Sequence, residues 1–111
     1  PGDESITITS LTDNNIVMGE EKLLPAHPNP ARFSDEITIG FTLPSSEAKV
    51  TLELFDMNGR SVVLWLNDEL YAPGRHLVRR SIPAGLPSGS YIYRLTTSNG
   101  ASVSKVLELV R

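Results

Sequence analysis

Short runs in which apolar and polar residues alternate constrain the fold of this chain more than any other feature. Every second residue is apolar in Ile37–Leu43 and in Lys49–Phe55, and the same pattern returns in Tyr91–Thr97. Successive side chains of a β-strand point to opposite faces of a sheet, so this alternation predicts strands with one buried face. No stretch keeps the apolar spacing of a helix over three turns. The chain is therefore predicted to be all-β.

Three further strands and their turns complete the predicted fold. The additional strands are Arg60–Leu66, His76–Ile82 and Ser102–Val110. Asn58-Gly59 and Asn99-Gly100 fall between strands, where residues that tolerate positive φ suit tight turns. Short strands separated by such turns are typical of a sandwich, and we predict an immunoglobulin-like antiparallel β-sandwich of about seven strands.

The last predicted strand has two possible registers. Val103, Leu107 and Leu109 lie on one face of Ser102–Val110, and Val106 and Val110 lie on the other. A shift of one residue exchanges the buried and the exposed face of a strand. The pattern alone leaves open which set faces the core.

Charge and proline divide the chain into two parts. It has 111 residues, enough for one domain, and a net charge of −3. Residues 1–36 hold seven acidic residues and two basic ones, which is typical of a solvated connector. We predict that residues 1–23 are a linker or the end of a preceding module of a longer protein, and that residues 24–111 are the folded domain. Three prolines, at 25, 28 and 30, predict an irregular first strand at a sheet edge.

The residues that carry chemistry favour a domain without an active site. The chain has no cysteine, which excludes disulfides and cysteine-based zinc sites. His27 and His76 lie in different segments and are interpreted as an edge residue and a residue of a solvated strand face. Asp56–Gly59 lacks the further acids of a calcium loop, and Ser88–Ser90 lacks the frame of a nucleophile elbow, so both are interpreted as turns. We expect no enzyme activity, no cofactor, no metal and no small-molecule substrate.

Two aromatic residues and four arginines are candidates for surface contacts. Phe55 and Trp65 are the aromatic residues that are predicted to face away from the apolar side of their strands, where one of them would contact a partner. The arginines that form a candidate basic patch are Arg75, Arg79, Arg80 and Arg94. Because Arg79 and Arg80 are adjacent, a strand places them on opposite faces, so only part of this set shares a surface. The net charge shows no basic excess of the kind expected for nucleic acid binding.

Several short blocks occur in an order that resembles the type A C-terminal sorting domain of the type IX (Por) secretion system. The resemblance extends over roughly residues 24–111. The blocks are His27–Pro30, Ile37–Pro44, Val50–Gly59, Tyr71–Gly74, Leu86–Leu95 and Ser104–Arg111. The immunoglobulin-like domain of flagellar hook-capping proteins is a related family with similar Pro-x-Pro and Gly-x-Tyr elements.

The resemblance implies a non-catalytic sorting signal in an exported protein of the Bacteroidetes type. Such a domain directs a cargo protein, fused on its N-terminal side, through the periplasm and across the outer membrane to the cell surface or the medium. Its implied partners are the outer-membrane translocon and a sortase-like peptidase. The implied recognition residues are Gly89, Tyr91, Lys105 and Arg111.

Two other functions remain open, together with one mechanism for the first. The chain is alternatively a structural or carbohydrate-contacting accessory module of a multimodular secreted enzyme, or an assembly domain of the hook-cap kind. If Ser102–Val110 lies at a sheet edge, its free backbone groups are available for strand addition by the secretion machinery, with Lys105 and Arg111 orienting it.

Overall fold

The computed structural model describes residues 22–32, 35–44 and 46–110, which form eight β-strands and no helix. In chain order the strands are β1 (Lys22–Leu23), β2 (Ala31–Arg32), β3 (Glu36–Leu43), β4 (Ala48–Phe55), β5 (Ser61–Tyr71), β6 (Gly74–Ser81), β7 (Gly89–Thr97) and β8 (Ser102–Val110). Accordingly, no membrane-spanning helix occurs in this part of the chain.

The strands form two sheets that pack as a sandwich. One sheet has three strands in the order β1-β3-β6, and the other has five in the order β2-β8-β7-β4-β5. All pairings are antiparallel except that of β2, which runs parallel to β8. The predicted all-β sandwich is confirmed, with two additional strands of only two residues each at the sheet margins.

The core lies between the inner faces of the two sheets. The predicted alternation is confirmed in β3, β4 and β7, where every second side chain is buried. The largest fully buried side chains include Tyr93, Phe41, Ile37, Leu52, Leu66 and Leu107. Burial of one such side chain contributes about 1.5–3 kcal/mol, so this single layer of side chains is the main stabilising element of the domain.

The register of β8 is settled by the packing. Leu107 and Leu109 are buried on the inner face, and Val103 packs against the core with partial exposure. Val106 and Val110 lie on the outer face and are exposed. The strand therefore follows the first of the two registers that its sequence allows.

The fifth strand differs from its prediction. It continues past Leu66 to Tyr71, because its pairing with β4 contains register shifts that accommodate extra residues. Asp68 has a positive φ of 56° in this part of the strand, and its backbone N–H donates to the Thr51 hydroxyl at 3.2 Å. Such irregularities break the alternation on which the prediction depends.

The sandwich includes residues from the N-terminal side of the predicted boundary. Lys22 and Leu23 pair with Thr42 and Phe41 of β3, and the Leu23 side chain is buried. Residues 1–21 of the predicted linker lie outside the described residues.

Candidate functional site

Three of the predicted recognition residues lie together on the β7–β8 ladder. Gly89 pairs with Leu109, Tyr91 with Leu107, and Lys105 with Tyr93. The fourth, Arg111, lies outside the described residues. The candidate site is therefore this ladder together with the segment that runs along the outer edge of β8.

Gly89 begins β7 in a backbone conformation that favours glycine. Its φ is +146°, a region that side chains of L-residues rarely adopt, although the space around its Cα is open. The residue is exposed at the end of the ladder where β8 finishes. Backbone strain, rather than crowding, is what a substitution introduces here.

Tyr91 is a buried residue that fixes the corner before β7. Its side chain is 5% exposed, and its hydroxyl donates to the Pro87 carbonyl, four residues earlier, at 2.6 Å. A tyrosine hydroxyl that bonds back to the preceding corner is a feature of immunoglobulin-like sandwiches. Tyr91 therefore acts on the site by positioning the start of β7.

Lys105 lies on the core face of β8 and is partly exposed. It shares this face with Leu107 and Leu109, since alternate residues of a strand point the same way. Its cross-strand neighbour is the buried Tyr93. The aliphatic stem can cover apolar surface at the rim of the core while the ammonium group reaches water.

The outer edge of β8 is largely covered by the chain itself. The Asn29 side-chain amide donates to the Val106 carbonyl at 3.1 Å, and its oxygen accepts from the Glu108 N–H at 3.0 Å. One side chain thus supplies the donor and the acceptor that a neighbouring strand would supply. Beyond it, β2 pairs with Leu109 and Val110. The expected free edge is restricted to the first part of the strand, around Ser102 and Ser104.

Tyr93 holds the segment that leads to Asn29. Its hydroxyl accepts from the Ala26 N–H at 2.9 Å and donates to the Leu24 carbonyl at 3.1 Å. Both bonds join residues almost seventy positions apart, so the centre of the fold fixes where the N-terminal segment lies. Burial raises the pKa of Tyr93 above its ordinary value, against the opposing effect of the Ala26 N–H.

The sequence contains a signal for the Asn29 contact that was not recognised. Asn29 stands between two prolines, Pro28 and Pro30, and proline has no N–H with which to form a ladder. Asn29 is therefore the only residue of Pro28–Pro30 with a backbone N–H, and its side-chain amide adds both a donor and an acceptor. The partner strand, however, cannot be read from that segment.

The histidines occupy different environments. His27 is exposed, as expected, and its backbone bridges to Thr38 of β3. His76 does not lie on a solvated face: its ring packs against both Phe41 and Tyr71, at centroid distances of 5.4 and 4.9 Å. The prediction was wrong because the polar residues Arg75 and Arg79 lie on the outer face of β6, whereas His76 and Val78 lie on its inner face. No group of three metal-ligating side chains occurs among the described residues.

The Asp56–Gly59 segment is a hairpin turn, as predicted. The Asp56 carboxylate accepts from the backbone N–H groups of Arg60 and Asn58 at 3.0 and 2.9 Å, and Gly59 has a φ of +85°. The bond from the Arg60 N–H is the main cause that lowers the pKa of Asp56. The carboxylate therefore serves the turn.

The two aromatic contact candidates do not form an exposed binding face. Trp65 is 8% exposed, and its indole N–H donates to the Ser81 carbonyl at 3.2 Å, so it joins β5 to the opposite sheet. Phe55 is partly exposed, but the Arg94 guanidinium lies 4.8 Å from its ring centroid. A carbohydrate-contacting module needs free aromatic faces, which neither residue provides.

The four arginines separate as predicted. Arg75 and Arg79 share the outer face of β6. Arg80 points the other way and donates to the Trp65 carbonyl at 3.3 Å, and Arg94 lies on the other sheet. Only Arg75 and Arg79 are therefore available as one basic surface.

One family model matches most of the chain. It is described as a secretion system C-terminal sorting domain, and it matches residues 26–108. The match begins at Ala26, which contacts Tyr93, and ends within β8, so it includes the sandwich except for β1 and the end of β8. No curated protein matches the sequence.

A solved structure with low sequence identity resembles the chain in fold. The alkylpurine DNA glycosylase AlkC of Pseudomonas fluorescens, bound to DNA containing an abasic site analog, matches with a TM-score of 0.54 and 16% identity over 91% of this chain. The match spans 33% of that glycosylase. CopC of Methylosinus trichosporium OB3b matches with a TM-score of 0.47 and 20% identity, over 81% of this chain and 91% of CopC.

Proposed function

Because this chain belongs to the family of type IX secretion C-terminal sorting domains, we propose that it directs an N-terminally fused cargo protein across the outer membrane to the cell surface or the medium. The observation that carries the proposal is the family match over residues 26–108, which includes most of the sandwich. In this proposal the domain is the sorting signal, the translocon recognises it, and a sortase-like peptidase acts on the exported product.

The β7–β8 ladder is the part of the domain that we assign to recognition. Gly89 and Lys105 present an open backbone position and a partly exposed cation on adjacent strands. Arg111 adds a second cation directly after β8 in the sequence. Tyr91 contributes by holding the corner before β7, since its side chain is buried.

Strand addition to β8 is proposed only where the edge is free. Ser102 and Ser104 direct their backbone groups to the same edge as Val106 and Glu108, because alternate residues of a strand point the same way. Asn29 and β2 cover the remainder. A partner strand that pairs with the whole of β8 must therefore displace residues 29–32. A partner strand that pairs only with Ser102–Ser104 can bind without displacing them.

A secretion assay tests the sorting role. Residues 1–111 are fused behind a periplasmic reporter protein in a cell that has a type IX system, and the reporter is measured in the medium, at the surface and in the periplasm. We expect export that is lost when the translocon is deleted. A folded fusion that stays in the periplasm would contradict the proposal.

A pair of variants tests the assignment of recognition to the ladder. Lys105→Glu reverses a partly exposed charge in the β7–β8 ladder, and Arg94→Glu reverses an exposed charge on the opposite face of the same sheet. We expect the first to reduce export and the second to leave it near the wild-type level. Equal export of both variants would remove Lys105 from the recognition surface.

A further inference from the structure

The edge strand β6 presents a row of backbone groups that no described strand covers. In β3, the Thr38 N–H donates to the His27 carbonyl, and the Gly40 carbonyl accepts from the Leu24 N–H, both at 2.8 Å. The backbone groups of Thr38 and Gly40 therefore point away from β6. The alternate residues of β3 therefore bond to β6, through partners that include His76 and Val78. The backbone groups of Arg75, Leu77 and Arg79 consequently point to the outer edge.

One end of this edge is closed and the other is open. The Arg79 carbonyl accepts from the Arg80 guanidinium at 2.7 Å, and the Ser81 carbonyl accepts from the Trp65 indole at 3.2 Å. The N–H groups of Arg75, Leu77 and Arg79 have no partner within residues 22–32, 35–44 and 46–110. The open part is long enough for a short added strand.

The side chains along the same edge form a charged-apolar-charged pattern. Arg75, Leu77 and Arg79 all lie on the outer face of the three-stranded sheet, and Leu77 is 63% exposed. Lys22 is a further cation on this face: it pairs with Thr42 of β3, which in turn pairs with Arg75. Leu77 also borders a groove of 210 Å³ whose apolar lining includes Leu24 and Pro25.

We propose that the β6 edge binds an extended peptide of a partner protein, with acidic residues at two alternate positions on either side of an apolar one. The main chain of the peptide pairs with the free backbone groups, and its acids lie opposite Arg75 and Arg79. Strand addition to an exposed edge takes its affinity from the backbone bonds and its specificity from alternate side chains. Opposite charges on facing strands are stabilising.

Charge disfavours a second copy of the domain that pairs with β6 in the register centred on Leu77. If two β6 strands paired antiparallel about Leu77, Arg75 of each copy would face Arg79 of the other. Like charges directly opposite one another are destabilising, and this pairing holds two such contacts. An acidic peptide turns the same two contacts into attractive ones.

A peptide titration tests the proposal on the whole 111-residue chain. The probe is a synthetic peptide in which Glu, Leu and Glu occupy alternate positions among threonines, and the control has Lys at the two Glu positions. Binding is followed by the amide chemical shifts of the protein. We expect the acidic peptide to shift the amides of Arg75, Leu77 and Arg79, with the amide of Glu108 unchanged, and the Lys peptide to bind at least about tenfold more weakly.

Two variants separate backbone pairing from charge. Leu77→Pro removes the outward N–H, and we expect it to weaken binding at least about tenfold relative to Leu77→Ala, which keeps that N–H. The double variant R75E/R79E should lose the acidic peptide and gain the Lys peptide. The proposal is overturned by any of three results: no shift along β6 at about 1 mM peptide, equal binding of both peptides, or full binding by Leu77→Pro. The assay uses no secretion machinery, so its outcome is independent of the sorting role.

Discussion

The β8 edge of one sheet and the β6 edge of the other are protected in opposite ways. The edge of β8 is covered by Asn29 and by β2, which belong to the same chain. The edge of β6 keeps outward N–H groups beside Arg75, Leu77 and Arg79. Natural sheets protect their edges by covering them or by placing charges on them, and these two edges each use one of the methods. Coverage hinders strand addition by any partner over Val106–Val110, whereas charge leaves an edge open to a partner of opposite sign.

The difference has a single structural origin in the N-terminal segment. Tyr93 fixes Leu24 and Ala26 at the centre of the sandwich, and from there the chain continues to Asn29 and β2 at the edge of β8. Its backbone bonds to β3 on the way, at Thr38 and Gly40, and does not pair with β6. Loss of the Tyr93 contacts should therefore affect one edge and not the other.

The largest expected effect is that of Tyr93→Phe. It removes the hydroxyl that satisfies the Leu24 carbonyl and the Ala26 N–H, and groups left unpaired in the interior are costly. We expect the free energy of unfolding to fall by about 2–4 kcal/mol in urea denaturation. The matched control is Tyr91→Phe, which loses one bond to the Pro87 carbonyl and should cost about 1 kcal/mol. Equal losses in the two variants would contradict the central role of Tyr93.

Alkaline pH should release the same contact in the wild-type protein. The pKa of Tyr93 is raised in the folded state, so the unfolded chain loses this proton first as the pH rises. The contribution of the neutral hydroxyl is complete below the unfolded pKa of about 10 and is lost as the pH passes the folded value. Unfolding free energies measured between pH 8 and pH 11 should show this loss in the wild type and in Tyr91→Phe. A loss of the same size in Tyr93→Phe would assign it to other groups.

A smaller effect is expected from Asn29→Ala. The variant removes two exposed hydrogen bonds to β8, and we expect a loss of about 1–2 kcal/mol. Amide hydrogen exchange should become about tenfold faster at Glu108, while that of the Leu77 amide stays as it is in the wild type. Asn29→Asp is the matched control, because it keeps the acceptor for the Glu108 N–H and loses the donor for the Val106 carbonyl. Unchanged exchange at Glu108 in Asn29→Ala would show that the edge is covered by something else.

The sequence predicts those features that depend on the alternation of apolar and polar residues within one strand. Alternation identified β3, β4 and β7 and their buried faces, because the sequence of each strand shows which of its two sides is apolar. The same pattern separated Arg79 from Arg80. It also placed the predicted recognition residues Tyr91 and Lys105 on the last two strands, which the structure brings side by side. Gly89, interpreted as part of a turn, is instead the first residue of β7.

The remaining features depend on which strands and side chains are neighbours in space, and a local sequence pattern does not contain that information. Periodicity reports which face of a strand is buried but not which strand lies beside it, so the pairing of β2 with β8 was not predicted. Two-residue strands are too short to show a period at all. The Asn29 contact reaches Glu108, 79 residues away, through a side chain, and Tyr93 reaches Leu24 across 69. Which edge is open and which is covered therefore became visible only in three dimensions.

The smallest expected effect belongs to the open edge, and it is measured as a difference between two substitutions. At Leu77, proline removes an N–H that points to solvent, so Leu77→Pro and Leu77→Ala should differ in stability by less than about 0.5 kcal/mol. At Glu108 the N–H is bonded to Asn29, so Glu108→Pro should be less stable than Glu108→Ala by about 1–3 kcal/mol. Alanine in each pair accounts for the lost side chain, and both pairs include the conformational restriction by proline, so comparing the two differences reports the hydrogen bond of the N–H. A large difference at Leu77 would mean that its N–H already has a partner in the folded domain, and β6 would then be closed like β8.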